Sequence, residues 1–145
     1  MLFLQDSTGS QQPYINQAKV AIDGIMTTLA KSGTWDKKDL RFGLIAFRDH
    51  PPQDSTFVTK THPFTSDVSQ METNLSNLTA SGGGDGPEAQ TAALNEAVNA
   101  DWRDDAVKIV VLITDAPPHG IGEVGDGFPA GDPEREFPYL ELYSV

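Results

Sequence analysis

The chain has 145 residues, 21 acidic against 10 basic, a formal net charge of -11 and no cysteine. That length suits one domain, 1–145, with a substantial core, since a domain of this size buries roughly 70% of the surface its unfolded chain exposes. The missing cysteine excludes disulfides, thiolate metal sites and a cysteine nucleophile, and the negative charge argues against nucleic acid as a partner, because it would repel a phosphate backbone.

The run Met1 to Leu4 is too short for a leader or a membrane span and reads as a buried strand that meets the polar stretch DSTGS. Apolar residues at Ile15, Ala18, Ile22, Ile25, Met26 and Leu29 fall at helical spacing, with Pro13 before them and Gly33 after them. LRFGLIAFR, Leu40 to Arg48, predicts a central strand that the following HPP halts. Thr56 to His62 alternates β-branched and polar residues as an edge strand does. Val68, Met71, Leu75 and Leu78 restore helical spacing before a triglycine.

A further helix is expected from Pro87 to about Ala100, opened by Pro and Glu. Val107 to Thr114, VKIVVLIT, predicts a strand buried on both faces of a parallel sheet. The expected order β-α-β-β-α-α-β implies an α/β Rossmann-like three-layer sandwich, mostly parallel with one antiparallel edge strand. A core over 1–119 is followed by Gly-, Pro- and acid-rich sequence, a loop and irregular tail over 120–145. Its acids Glu123, Asp126, Asp132 and Glu134 read as a solvated face, and Trp35 and Trp102 as covers at the edge of the core.

No run reaches the ~20 apolar residues of a spanning helix and no basic-then-apolar leader precedes the first strand, so no membrane partner is expected. The cytoplasm is the expected compartment, with secretion the alternative if the N-terminus is truncated. Sequons at Asn74 and Asn77 would matter only in that second case.

In an open parallel sheet, ligands bind beyond the carboxyl ends of the strands. DSTGS, GGGDGPEA and TDAPPHG all fall at that edge and bring Asp6, Thr8, Ser10, Asp85, Glu88 and Asp115, every one an oxygen donor. Such a set suits a hard cation, Mg²⁺ or Mn²⁺. Taken singly, Ser10 reads as a helix cap, Asp6 as a strand end and the triglycine as a turn; the three stretches together favour a site. A Ser10–His119–Asp115 triad lacks a Gly-x-Ser-x-Gly elbow and an oxyanion-hole pattern. His119 is instead expected in the loop around the metal. An Asp6 nucleophile for phosphoester hydrolysis lacks the second acid two residues on, where Thr8 stands.

With those motifs the sequence resembles the von Willebrand factor A-type domain, from the first strand through Asp132, of the kind seen in α-kinase-associated and hemicentin-like proteins. DSTGS resembles the family's Asp-x-Ser-x-Ser motif, and ITDAPPHG its strand followed by Thr-Asp. The resemblance implies that Thr8 and Ser10 bind the metal through hydroxyls and that Asp6 and Asp115 act largely through bridging waters. GGGDGPEA departs from the commoner Thr-bearing loop and is similar to the Asp-x-Pro-Glu loop of integrin β subunits. That similarity implies Glu88 as a direct ligand and Asp85 as a candidate for a neighbouring cation.

The implied function is a non-enzymatic, metal-dependent adhesion module that captures an Asp or Glu of a protein partner. The alternative is a metal-dependent phosphoester hydrolase using Asp6. A full A domain continues for about two more strands, so the chain is expected to be truncated.

Overall fold

The structure, a computed structural model, describes residues 1–36 and 38–133. Strand β1 (Leu2–Asp6) lies between β2 (Phe42–Phe47) and β4 (Val110–Ile113), parallel to both, with Leu4 opposite Ile45 and Leu112. Strand β3 (Thr59–Thr65) runs antiparallel to β2, which gives the order β3-β2-β1-β4. Pro63 is tolerated there because β3 is an edge strand.

The period-two alternation of β1 and β2 separates two cores. Phe3, Phe42, Leu44 and Ala46 face helices α1 (Ile15–Lys31) and α2 (Val68–Ser76), packing with Ile22, Met26, Met71 and Leu75. Leu2, Leu4, Ile45 and Phe47 face the other way, onto Ala93 and Ala97 of α3 (Gln90–Val98). The two cores make a three-layer α/β sandwich with a mostly parallel sheet. Asp67 caps α2 by accepting from the amides of Ser69 and Gln70, two donors the first turn would otherwise leave unpaired.

Several expectations need correction. Ile25 is 38% exposed, because Ile15, Ile22 and Met26 suffice to define the buried stripe of α1. The third helix starts at Gln90 rather than Pro87, since Glu88 is held in an extended bridge to Pro118, its amide donating to the Pro117 carbonyl at 3.0 Å. The Val107 strand is not buried on both faces. Among the described residues the strand is Val110–Ile113, outermost against β1, and Val107, Ile109, Val110 and Leu112 are all exposed.

Trp102 does cover core, its ring tilted against Phe64 with centroids 4.7 Å apart and its Nε1 donating to the Ala97 carbonyl, whereas Trp35 is half-exposed. Nor is the acidic loop wholly a solvated face. Glu123 is exposed, but the Asp126 side chain and Asp132 are buried. Glu134 and the segment that follows it lie outside the described residues.

Candidate functional site

Because β1, β2 and β4 are parallel, their carboxyl ends deliver Asp6, Asp49 and Asp115 to one edge of the sheet. Asp6 is fully buried. Its Oδ1 accepts the Thr8 amide at 2.9 Å and the Thr8 hydroxyl at 2.7 Å, while Oδ2 accepts the Thr114 hydroxyl at 2.7 Å. Ser10, exposed on the turn that follows, donates its hydroxyl to Asp115 Oδ1 at 2.9 Å, across 105 residues of sequence.

These bonds have a chemical consequence. Thr8 and Ser10 each give their one hydroxyl hydrogen to a carboxylate and keep oxygen lone pairs available. Their two oxygens lie 3.3 Å apart, close to the roughly 3 Å between neighbouring ligands of an octahedral ion with ~2.1 Å bonds.

Glu88 closes the site from behind, only 3% exposed and in contact with the Thr8 hydroxyl. Its Oε2 is buried without a hydrogen-bond partner. Burial, reinforced by the negative charges of Asp6, Asp49 and Asp85, pushes the Glu88 carboxyl up to about 8. Asp6 is also raised, mainly by burial and further by Asp115, against the opposing hydrogen bonds from Thr8 and Thr114. The cluster gathers oxygen atoms alone, and burial makes ionisation of its Asp6 and Glu88 carboxyls unfavourable.

Backbone contacts set the approach of the glycine loop. The Gly9 amide donates to the Gly82 carbonyl at 2.9 Å and the Ser81 amide to the Ser7 carbonyl at 3.0 Å. Gly82 has φ +75°, and a Cβ there would stand 1.8 Å from Asp54 Oδ2. At Gly83, φ +79°, a Cβ would lie 3.0 Å from the Glu88 carboxyl and 3.2 Å from Thr8 Cβ. The glycines thus allow the loop to lie directly over the site.

Asp54 accepts the Gly83 amide at 3.2 Å and the Thr56 amide at 2.7 Å. Burial alone would raise its pKa, but the bonds from Thr56 and Gly83 and the charge of Arg48 hold it below the usual carboxylate value. Arg48 donates to the Ser7 and Thr79 carbonyls and to the Thr56 hydroxyl, and lies over the Phe57 ring. One buried guanidinium therefore ties the first loop to the glycine loop.

Both ring nitrogens of His119 face carboxylates other than Asp115, which argues against a Ser10–His119–Asp115 triad. Fully buried, its Nε2 lies 2.8 Å from Asp49 Oδ1 and its Nδ1 2.8 Å from Asp126 Oδ1. Burial would depress its pKa; the two carboxylates overcome this and raise it to about 9. His50 Nε2 lies 2.6 Å from Asp132 Oδ1, and Phe128 packs edge-on against both imidazoles. Asp85 approaches this second cluster, with Oδ2 accepting the Gly127 amide at 2.5 Å.

The structure thus brings Asp6, Thr8, Ser10, Glu88 and Asp115 together and places Asp85 and His119 in an adjoining cluster. Sequence reasoning missed Asp49, Asp54, Thr114 and Asp126. The available signal was RDHPPQD: acids directly after a buried strand, at the edge where the other site residues lie.

Comparisons with known proteins bear on the family. Residues 1–123 match the von Willebrand factor A domain. The chain is also 31% identical over 135 residues to the alpha-protein kinase vwkA of Dictyostelium discoideum, a match covering 92% of this chain but 21% of that protein. It therefore spans about a fifth of the length of that relative. By fold, by motif and by these matches, the chain belongs to the von Willebrand factor A domain family, whose members commonly mediate protein–protein interaction.

Proposed function

We propose that this domain is a protein-binding module that holds Mg²⁺ or Mn²⁺ and uses it to capture an Asp or Glu of a protein partner. Thr8, Ser10 and Glu88 would contact the ion directly, and Asp6 and Asp115 would act through water. The observation that carries the reading is the buried, partnerless Glu88 Oε2 beside two hydroxyls whose hydrogens are already committed to carboxylates. A divalent ion would supply the missing positive charge. With two carboxylates held behind water, it would keep enough electrophilicity to accept an outside one. Ser10 and Asp115 are exposed, which leaves the ion's outer side open to a partner.

Asp6 is poorly suited to the alternative, phosphoester hydrolysis, because it has no exposed surface and both its oxygens accept hydrogen bonds. The kinase name of the relative describes a protein of which this region matches about a fifth; binding is the role proposed for the region itself.

Titration calorimetry with Mg²⁺ and Mn²⁺ tests the proposal. Ser10→Ala and Glu88→Gln should each weaken binding at least about tenfold, or 1.4 kcal/mol. Equal heats in wild type and variants would remove the site. Mg²⁺-dependent phosphoester turnover that Asp6→Asn abolishes would replace binding with catalysis.

A further inference from the structure

Behind the oxygen-only site lies the second cluster, which the proposed function does not use. We propose that Asp49, Asp85 and His119 form a separate site for a zinc-class divalent ion, with Asp126 orienting the imidazole.

One donor atom from each of the three residues lies within 4.8 Å of the others, a spread that a small dication closes with bonds of about 2.0–2.2 Å. His119 is positioned as a ligand. Its Nδ1 faces Asp126 Oδ1 at 2.8 Å, and Asp126 is itself fixed by the amides of Gly120 and Phe128, each at 2.7 Å. A carboxylate behind the imidazole is the arrangement that fixes the tautomer of a metal-bound histidine. The other nitrogen, Nε2, lies 2.8 Å from Asp49 Oδ1, and a bound ion would displace the proton between them.

The carboxylates supply an independent observation. Asp49 is fully buried, and its Oδ2 has no hydrogen-bond partner. Asp85 Oδ1 is likewise buried with no donor, and its carboxyl lies against that of Asp49, an acid–acid contact that burial and the Asp49 charge make unfavourable to ionise. Burying a carboxylate oxygen without a donor is costly, and two of them beside one imidazole nitrogen form a consistent donor set. Nitrogen with two carboxylate oxygens suits Zn²⁺ over Mg²⁺, with water as the remaining ligand. The ion would join the loops after β2 and β4 to the glycine loop, three residues before Glu88.

The test titrates Zn²⁺ into the 145-residue chain in excess Mg²⁺. One Zn²⁺ should bind per chain in wild type and in Ser10→Ala, and at least tenfold more weakly in His119→Gln and in Asp85→Asn, a substitution at a less buried position. No Zn²⁺ binding by wild type, or unchanged affinity in both variants, overturns the site. Proton NMR of Co²⁺-loaded wild type gives a readout that needs no variant. A strongly shifted, solvent-exchangeable N–H from His119 is expected, and its absence from the loaded protein also overturns the proposal.

Discussion

Glu88 is the residue whose ionisation most depends on what occupies the site. Its folded pKa of about 8 stands above the ordinary 4.5 of a free glutamate, so in metal-free protein its contribution to stability is full below about pH 4.5 and is lost as pH rises through 8. His119, raised from 6.5 to about 9, acts in the same direction over the higher window. Asp54 and Asp126 oppose them in acid, since their lowered pKa values give stability that is lost as pH falls below the usual carboxylate range. Thermal melts in EDTA should therefore fall from mildly acid toward alkaline pH, and Glu88→Gln should flatten the decline between pH 5 and 8. Mg²⁺ binding near pH 7 should release about one proton, seen as buffer-dependent calorimetric heat, and Glu88→Gln should abolish that release. Sequence identified Glu88 as a candidate because Asp-Gly-Pro-Glu follows a glycine run. It could not show the absence of a donor on Oε2, which depends on the folded positions of residues distant in the chain.

At the scale of elements, periodicity located the strands and helices well where one face is buried. It failed where partners decide the outcome. VKIVVLIT has the composition of a doubly buried strand, yet outermost placement leaves Val110 and Leu112 exposed. Asp126 read as solvated because nothing local reveals that His119 folds back onto it. Arg48 was legible only as the end of a strand, although it joins two loops. Arg48→Lys keeps the charge but loses the planar fork of donors, and Arg48→Met leaves Asp54 without its cation. Arg48→Met should cost about 3 kcal/mol in chemical denaturation, and Arg48→Lys should cost less. Both should weaken Mg²⁺ binding, because the glycine loop would no longer be held against Ser7.

For the whole molecule, the free side of β4 is an exposed apolar sheet edge among the described residues, a template for pairing with another strand. Leu112→Lys should reduce concentration-dependent association in sedimentation experiments while leaving Mg²⁺ affinity unchanged. At the opposite extreme of order stand the contacts among Ser7, Gly9, Arg48, Ser81 and Gly82. They make the first loop and the glycine loop mechanically one body. On the proposed function, a partner pulling on an ion held by Ser10 would load both loops at once, and the tension would pass through the Arg48 guanidinium into β2 at the centre of the sheet. Force at such a face would be borne by the buried strand β2 rather than by an isolated turn.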